Sequence, residues 1–234
     1  MKFLILILLQ ASLFGQSLPF GSMPIGSGGS TPTWSFVQDA TNFACTTNPC
    51  TVTFSTATTA GSFIMVGLAS ATGTDTISTV SGGGGTWNLC SSSGCHVTNT
   101  NIGSGDVAYN ITGTSGATAI AITDAASNPA FVAAIEIKCT ANCGTIALDA
   151  IPNSFGNSTS CGTCTAAGFT GLTGISDAIA QMMNYNNTLS SPSGGYTLSP
   201  SGVFLYHVNS AVGTAPTATQ TASGNFLATG VAIK

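Results

Sequence analysis

Charge is nearly missing from this chain. It has no Arg, three Lys, six Asp and a single Glu (Glu136) in 234 residues, for a net charge of −4. Charged residues make up 4%, against about 25% in an ordinary globular chain. Three Lys cannot neutralise a row of phosphates, so no nucleic-acid partner is expected. The Glu and Lys flanks of a coiled coil are absent. Disorder requires high charge and low hydrophobicity, whereas 43% of these residues are hydrophobic. What remains is a neutral, folded chain whose surface is solvated by Thr, Ser, Asn and Gly.

Long apolar runs are missing too, except at the start. Lys2 is followed by an apolar stretch from Phe3 to Leu9 and then by small residues around Gly15 and Ser17. One positive charge, an apolar core of about a dozen residues and small residues after it describe a secretory signal peptide. A spanning helix needs about 20 apolar residues, and Gln10 and Gln16 interrupt this run. We therefore expect a signal peptide over 1–17 and no transmembrane segment. Cleavage after Gly15 competes with cleavage after Ser17, and an uncleaved anchor is the other reading. Residues 18–33 are rich in Gly, Ser and Pro, the composition of a linker. Residues 34–234 fit one domain. The expected location is secreted, extracellular or at the cell surface.

The eight cysteines fall in four close pairs: Cys45/Cys50, Cys90/Cys95, Cys139/Cys143 and Cys161/Cys164. An even count in an exported chain reads as disulfides, and local pairing is the simplest of about 105 connectivities. Two alternatives stand beside it. The spacing Cys139-x3-Cys143-x17-Cys161-x2-Cys164 approaches a four-Cys zinc site, and Cys161-Gly-Thr-Cys164 alone has the form of a redox motif. The two upstream pairs share the same local habit, which favours bridges for all four.

Strand periodicity dominates the rest. Thr51 to Ser55 alternates polar and apolar. Ser62 to Leu68 is apolar on both parities, as in a strand covered on both faces. Ala117 to Thr123 puts Ile120 and Ile122 on one face. Ala130 to Lys138 groups Phe131, Ala133, Ile135 and Ile137, with Glu136 and Lys138 opposite, where they would form an ion pair. Val203 to Val208 and Leu227 to Ile233 complete the set, and Gly-, Ser- and Asn-rich turns separate the runs. The one helix candidate, Ile175 to Asn184, is read as a strand because its neighbours are strands. The expected fold is all-β: a two-sheet antiparallel β-sandwich, jelly-roll-like.

The order of landmarks resembles a jelly-roll-like β-sandwich module of secreted and cell-surface bacterial proteins. The residues that carry it are Phe36-Val37-Gln38, the pair Val52 to Leu68, Ile77 to Val80, Gly84 to Trp87 and Asp106 to Asn110. Ala119 to Thr123 with Ile135-Glu136-Ile137, Gly195 to Leu198 and the closing Phe226 to Lys234 follow. Ile137 departs from the aromatic usual there, and the four cysteine pairs look like additions to the frame. The resemblance implies a fold, export and a place on surface-attached proteins; it implies no activity.

Catalytic groups are scarce. There are two His: His96 beside Cys95, and His207 on the apolar strand VFLYHV. A triad of His207 with Asp106 or Asp177 and a Ser is conceivable, but no G-x-S-x-G elbow accompanies it. Glycoside hydrolysis needs two carboxylates astride a bond, and Asp75 and Asp124 sit in turns that suit local backbone bonding. No D-x-D-x-D-G calcium loop occurs; a structural calcium held by one Asp and backbone oxygens is the single cofactor left open. The chain is expected not to be an enzyme. Binding is the better expectation, with Tyr185, Asn186 and Tyr196 as candidate ligand contacts, since aromatic faces beside amides suit sugars. The expected function is cell-surface attachment, adhesion or binding of extracellular polysaccharide. A structural subunit of an extracellular fibre or surface assembly, self-associating through strand edges, is the alternative, and a secreted hydrolase the second.

Overall fold

The computed structural model describes residues 30–234, apart from 71–74, 91–94, 112–114, 127–130, 153, 174–175, 186, 191 and 211–216. The expected signal peptide, and the linker up to residue 29, lie outside the described residues.

Strand-forming runs between glycine-rich turns give sixteen strands among the described residues. In chain order they are β1 (Thr33–Asn42), β2 (Cys50–Thr53), β3 (Ser62–Ser70), β4 (Ile77–Gly82), β5 (Asn88–Leu89), β6 (Val97–Asn99), β7 (Gly103–Asn110) and β8 (Ala119–Asp124). They continue with β9 (Phe131–Ala141), β10 (Leu148–Ala150), β11 (Gly156–Thr165), β12 (Asp177–Tyr185), β13 (Leu189–Ser190), β14 (Thr197–Leu198), β15 (Phe204–Ser210) and β16 (Thr217–Ile233). Among the described residues there is no helix. The stretch read as a strand over Ile175 to Asn184 contains β12, which begins at Asp177, as expected from its surroundings; Ile175 lies outside the described residues.

All pairings are antiparallel, and they build three sheets. The first runs β1-β9-β3-β7-β5, with β6 also on β7. The second runs β10-β16-β12-β15-β14, with β11 along Thr217 to Ala228 of the long β16 and β13 on its Thr219 and Gln220. The third is β2-β8-β4. Phe63, Met65, Ile135 and Ile137 of the first sheet meet Ala180, Met182, Phe204 and Val231 of the second in the main core. This is the sandwich that the alternating strands predict.

The third sheet covers the other face of the first. Ile64, Val66, Leu68, Val132 and Ala134 pack there against Val52, Ile120 and Ile122. Every residue of β3 is therefore buried, which explains its lack of alternation. A third cluster lies on the outer face of the second sheet, where Ile179, Met183, Leu205 and Ala228 meet Cys164, Phe169 and Tyr196.

The expected ion pair of Glu136 with Lys138 is not formed, and Glu136 is wholly buried. Gln38 Nε2 donates to its Oε2 at 2.7 Å, and the Thr59 amide and Ser62 hydroxyl donate to its Oε1, each at 2.7 Å. Those three donors, not Lys138, satisfy the carboxylate.

Candidate functional site

All eight cysteines are bridged as four local pairs: Cys45–Cys50, Cys90–Cys95, Cys139–Cys143 and Cys161–Cys164. The thiolate set that zinc would need does not exist in this state. Among the described residues no three His, Cys, Asp or Glu side chains group to hold a metal ion.

Tyr185 is the last residue of β12 and is half-buried. Its hydroxyl donates to the Gly202 carbonyl at 2.6 Å. Asn186 lies outside the described residues. Its neighbour Asn187 spends its side-chain amide on the Ala222 and Ser223 carbonyls. Tyr196 lies between β13 and β14, but it is only 5% exposed. The turn at Gly195, with φ of +80°, folds the ring inward against His207, centroid to centroid 5.0 Å. Burial pushes the Tyr196 phenol up to about 12, with the Gln181 amide working weakly against it. Gln181 exchanges both of its amide hydrogen bonds with the Ala167 backbone at 2.9 Å, and the Tyr196 oxygen has no partner in hydrogen-bonding geometry. Tyr185 and Tyr196 thus share one cluster but do not form an exposed platform.

His207 sits on the same outer face. A side chain at Gly195 would strike its ring, 2.9 Å from a Cβ. Burial lowers its pKa, and its Nδ1 has no hydrogen-bond partner. Asp177 lies on β12, where it pairs in register with Ser210, while Asp106 is on β7 of the other sheet and accepts from the Ile77 and Val107 amides. No triad is assembled from His207 and these acids. At His96 burial lowers the pKa, opposed by the charge of Asp75, which accepts from the Ser70 hydroxyl.

A constellation that the sequence reading did not anticipate lies at the end of β16. Strands β10 and β12 flank β16 on its two sides. The registers Leu148↔Ile233 and Ala178↔Ile233 bring Asp149 and Asp177 to either side of Lys234. Lys234 Nζ is 2.9 Å from Asp149 Oδ1, the one salt bridge among the described residues. Thr173 completes the group: its amide donates to Asp149 Oδ2 at 2.6 Å, its hydroxyl donates to Oδ1, and it accepts from Lys234 Nζ at 2.7 Å. Asp177 is fully buried, and neither of its oxygens receives a hydrogen bond. Burial first, then the adjacent Asp149 carboxyl, raises its pKa to about 7, against the pull of Lys234. Local sequence holds no trace of this group, because Lys234 is far along the chain from Asp149, Thr173 and Asp177.

No known family matches the chain, and no curated protein or solved structure is detectably similar to it. The molecule described is an antiparallel, sandwich-like all-β protein closed by four local disulfides.

Proposed function

We propose that this chain is an exported, non-enzymatic β-sandwich module for attachment to a cell surface or an extracellular polysaccharide. In this reading it is of the jelly-roll-like kind that its landmarks resemble. The observation that carries the proposal is the closure of all eight cysteines into four bridges, which persist where thiols are kept oxidised. The apolar N-terminal run points the same way. Support for a binding rather than catalytic role comes from the acid–base groups. His207 packs against Tyr196 with Nδ1 unpartnered, so no acid orients it as a general base requires. Glu136 is fully engaged by three donors inside the molecule.

Tyr185 with Asn186 is the better ligand contact, since the ring of Tyr196 is packed in the interior. The test is retention of the mature protein on a panel of insoluble polysaccharides. Retention that Tyr185→Ala abolishes without lowering thermal stability supports the glycan reading; no retention on any polymer overturns it. A structural subunit is the second reading, favoured by Phe43, which is 63% exposed and packs only partly against Phe131 at 5.2 Å. Size-exclusion chromatography separates the two, because a stable monomer at high concentration removes the assembly reading. A hydrolase built on His207 would lose its activity in His207→Ala.

A further inference from the structure

The group at Lys234 contains one acid more than an ion pair needs. Lys234 and Asp149 satisfy each other at 2.9 Å, with Thr173 bonded to both. Asp177 is then left fully buried with no donor to either oxygen. A buried carboxylate without a donor is costly, and a proton shared with the Asp149 carboxyl is the relief at hand.

Three features of this arrangement suit a condensation. The amine nitrogen is held within contact distance of a carboxyl group by the paired β10 and β16, beside which Ala147 and Lys234 exchange both backbone hydrogen bonds at 3.1 and 3.0 Å. Fixing reactants in this way replaces a bimolecular encounter. The Thr173 amide donates to Asp149 Oδ2 and draws electron density from Cγ. The Asp149 side chain is 0% exposed, whereas Lys234 is 43% exposed, so the acid is removed from bulk water while a path outward remains along the lysine.

We propose that Lys234 and Asp149 condense into an intramolecular amide, with Asp177 as the proton carrier. The ammonium of Lys234 first gives a proton to the Asp149 carboxylate, which leaves a neutral amine beside a neutral acid. The amine lone pair adds to Asp149 Cγ and forms the new N–C bond. Asp177, which begins protonated, gives its proton to the departing hydroxyl of Asp149, whose C–O bond breaks and releases water, and takes the second nitrogen proton in return. Asp177 ends as it began, and no oxidant or reductant is consumed. A pKa near neutrality lets Asp177 serve in both directions. The product ties β10 to the end of β16 and removes two opposite charges.

The test is the mass of the purified full chain after reduction and alkylation. Lys138 and Lys234 bound one tryptic peptide, 139–234, which contains all three side chains. The expected result is a peptide lighter than its sequence by one water, with a branched Asp149–Lys234 fragment on further digestion. Lys234→Arg and Asp177→Asn should each restore the full mass. A full-mass wild-type peptide after prolonged incubation at neutral pH overturns the proposal outright. A water deficit that survives in Lys234→Arg marks cyclisation of an aspartate on its own backbone and overturns it equally. A deficit unchanged in Asp177→Asn overturns the role of Asp177.

Discussion

Tyr196 carries a hydroxyl with no partner into an apolar cluster. Removing an unsatisfied buried polar group of this kind removes a desolvation cost of about 1–3 kcal/mol without breaking a bond. Tyr196→Phe should therefore leave stability unchanged or raise it, as read from urea denaturation. Gly67 has the opposite character. Its missing side chain makes room for Met182 from the facing sheet, whose Sδ would lie 1.9 Å from a Cβ there. Gly67→Ala should cost about 1–3 kcal/mol through overpacking, and a double-mutant cycle with Met182 should show strong coupling. Asp177 makes a pH-dependent contribution. Its carboxyl is raised from an ordinary value of 3.8 to about 7, chiefly by burial, with Asp149 adding to the rise and Lys234 opposing it. The folded state holds the proton more tightly than the unfolded chain does. This part of the stability is complete below about pH 4, falls as the pH climbs towards 7, and changes little above that. Denaturation midpoints measured from pH 4 to 8 should show the decline, and Asp177→Asn should flatten it.

At the scale of elements, β3 separates two cores. Its odd-numbered Phe63 and Met65 face the second sheet, and its even-numbered Ile64 and Val66 face the third. In a two-layer sandwich with one solvated face, adjacent residues would differ sharply in cost. Here Met65→Ala and Ile64→Ala should each cost about 2–5 kcal/mol, and comparable midpoint shifts in denaturant would confirm it. The turn from Gly82 to Gly85 has positive φ at all four positions and takes the indole of Trp87 onto the Gly82 carbonyl at 2.9 Å. Only glycine adopts such a run without strain, which accounts for the four successive glycines from the last residue of β4 onward. Strand β11 was not legible beforehand. Its sequence, GNSTSCGTCT, has no apolar alternation, and it becomes a strand because it lies along β16 for much of its length. Main-chain pairing to a longer strand overrides weak local preference there.

For the molecule as a whole, sulfur compensates for a surface with little charge. Each bridge closes a loop with a sequence separation of 3 to 5, so each should contribute near the low end of about 2–4 kcal/mol. Reduction should lower the melting temperature clearly without erasing the β spectrum, since three apolar clusters remain. Intact mass without reductant should be lower by the hydrogens of eight thiols. A zinc-loaded protein with free thiols would fail both measurements.

Short-range features were settled by the sequence alone. Period-two alternation fixed most strand positions, because side chains on a strand alternate faces wherever it pairs. Cysteines a few residues apart could reach one another before the rest of the chain was placed. The doubly apolar β3 announced a strand covered on both sides, although nothing in it named the covering partner. Other features depended on which strands became neighbours. Glu136 read as the partner of Lys138 until Gln38, Thr59 and Ser62 converged on it in the interior, and Tyr196 looked available until the Gly195 turn carried it inward. Asp149 and Asp177 meet Lys234 because β10 and β12 both chose β16. That choice depends on long-range pairing and burial, and a local pattern of residues does not encode it.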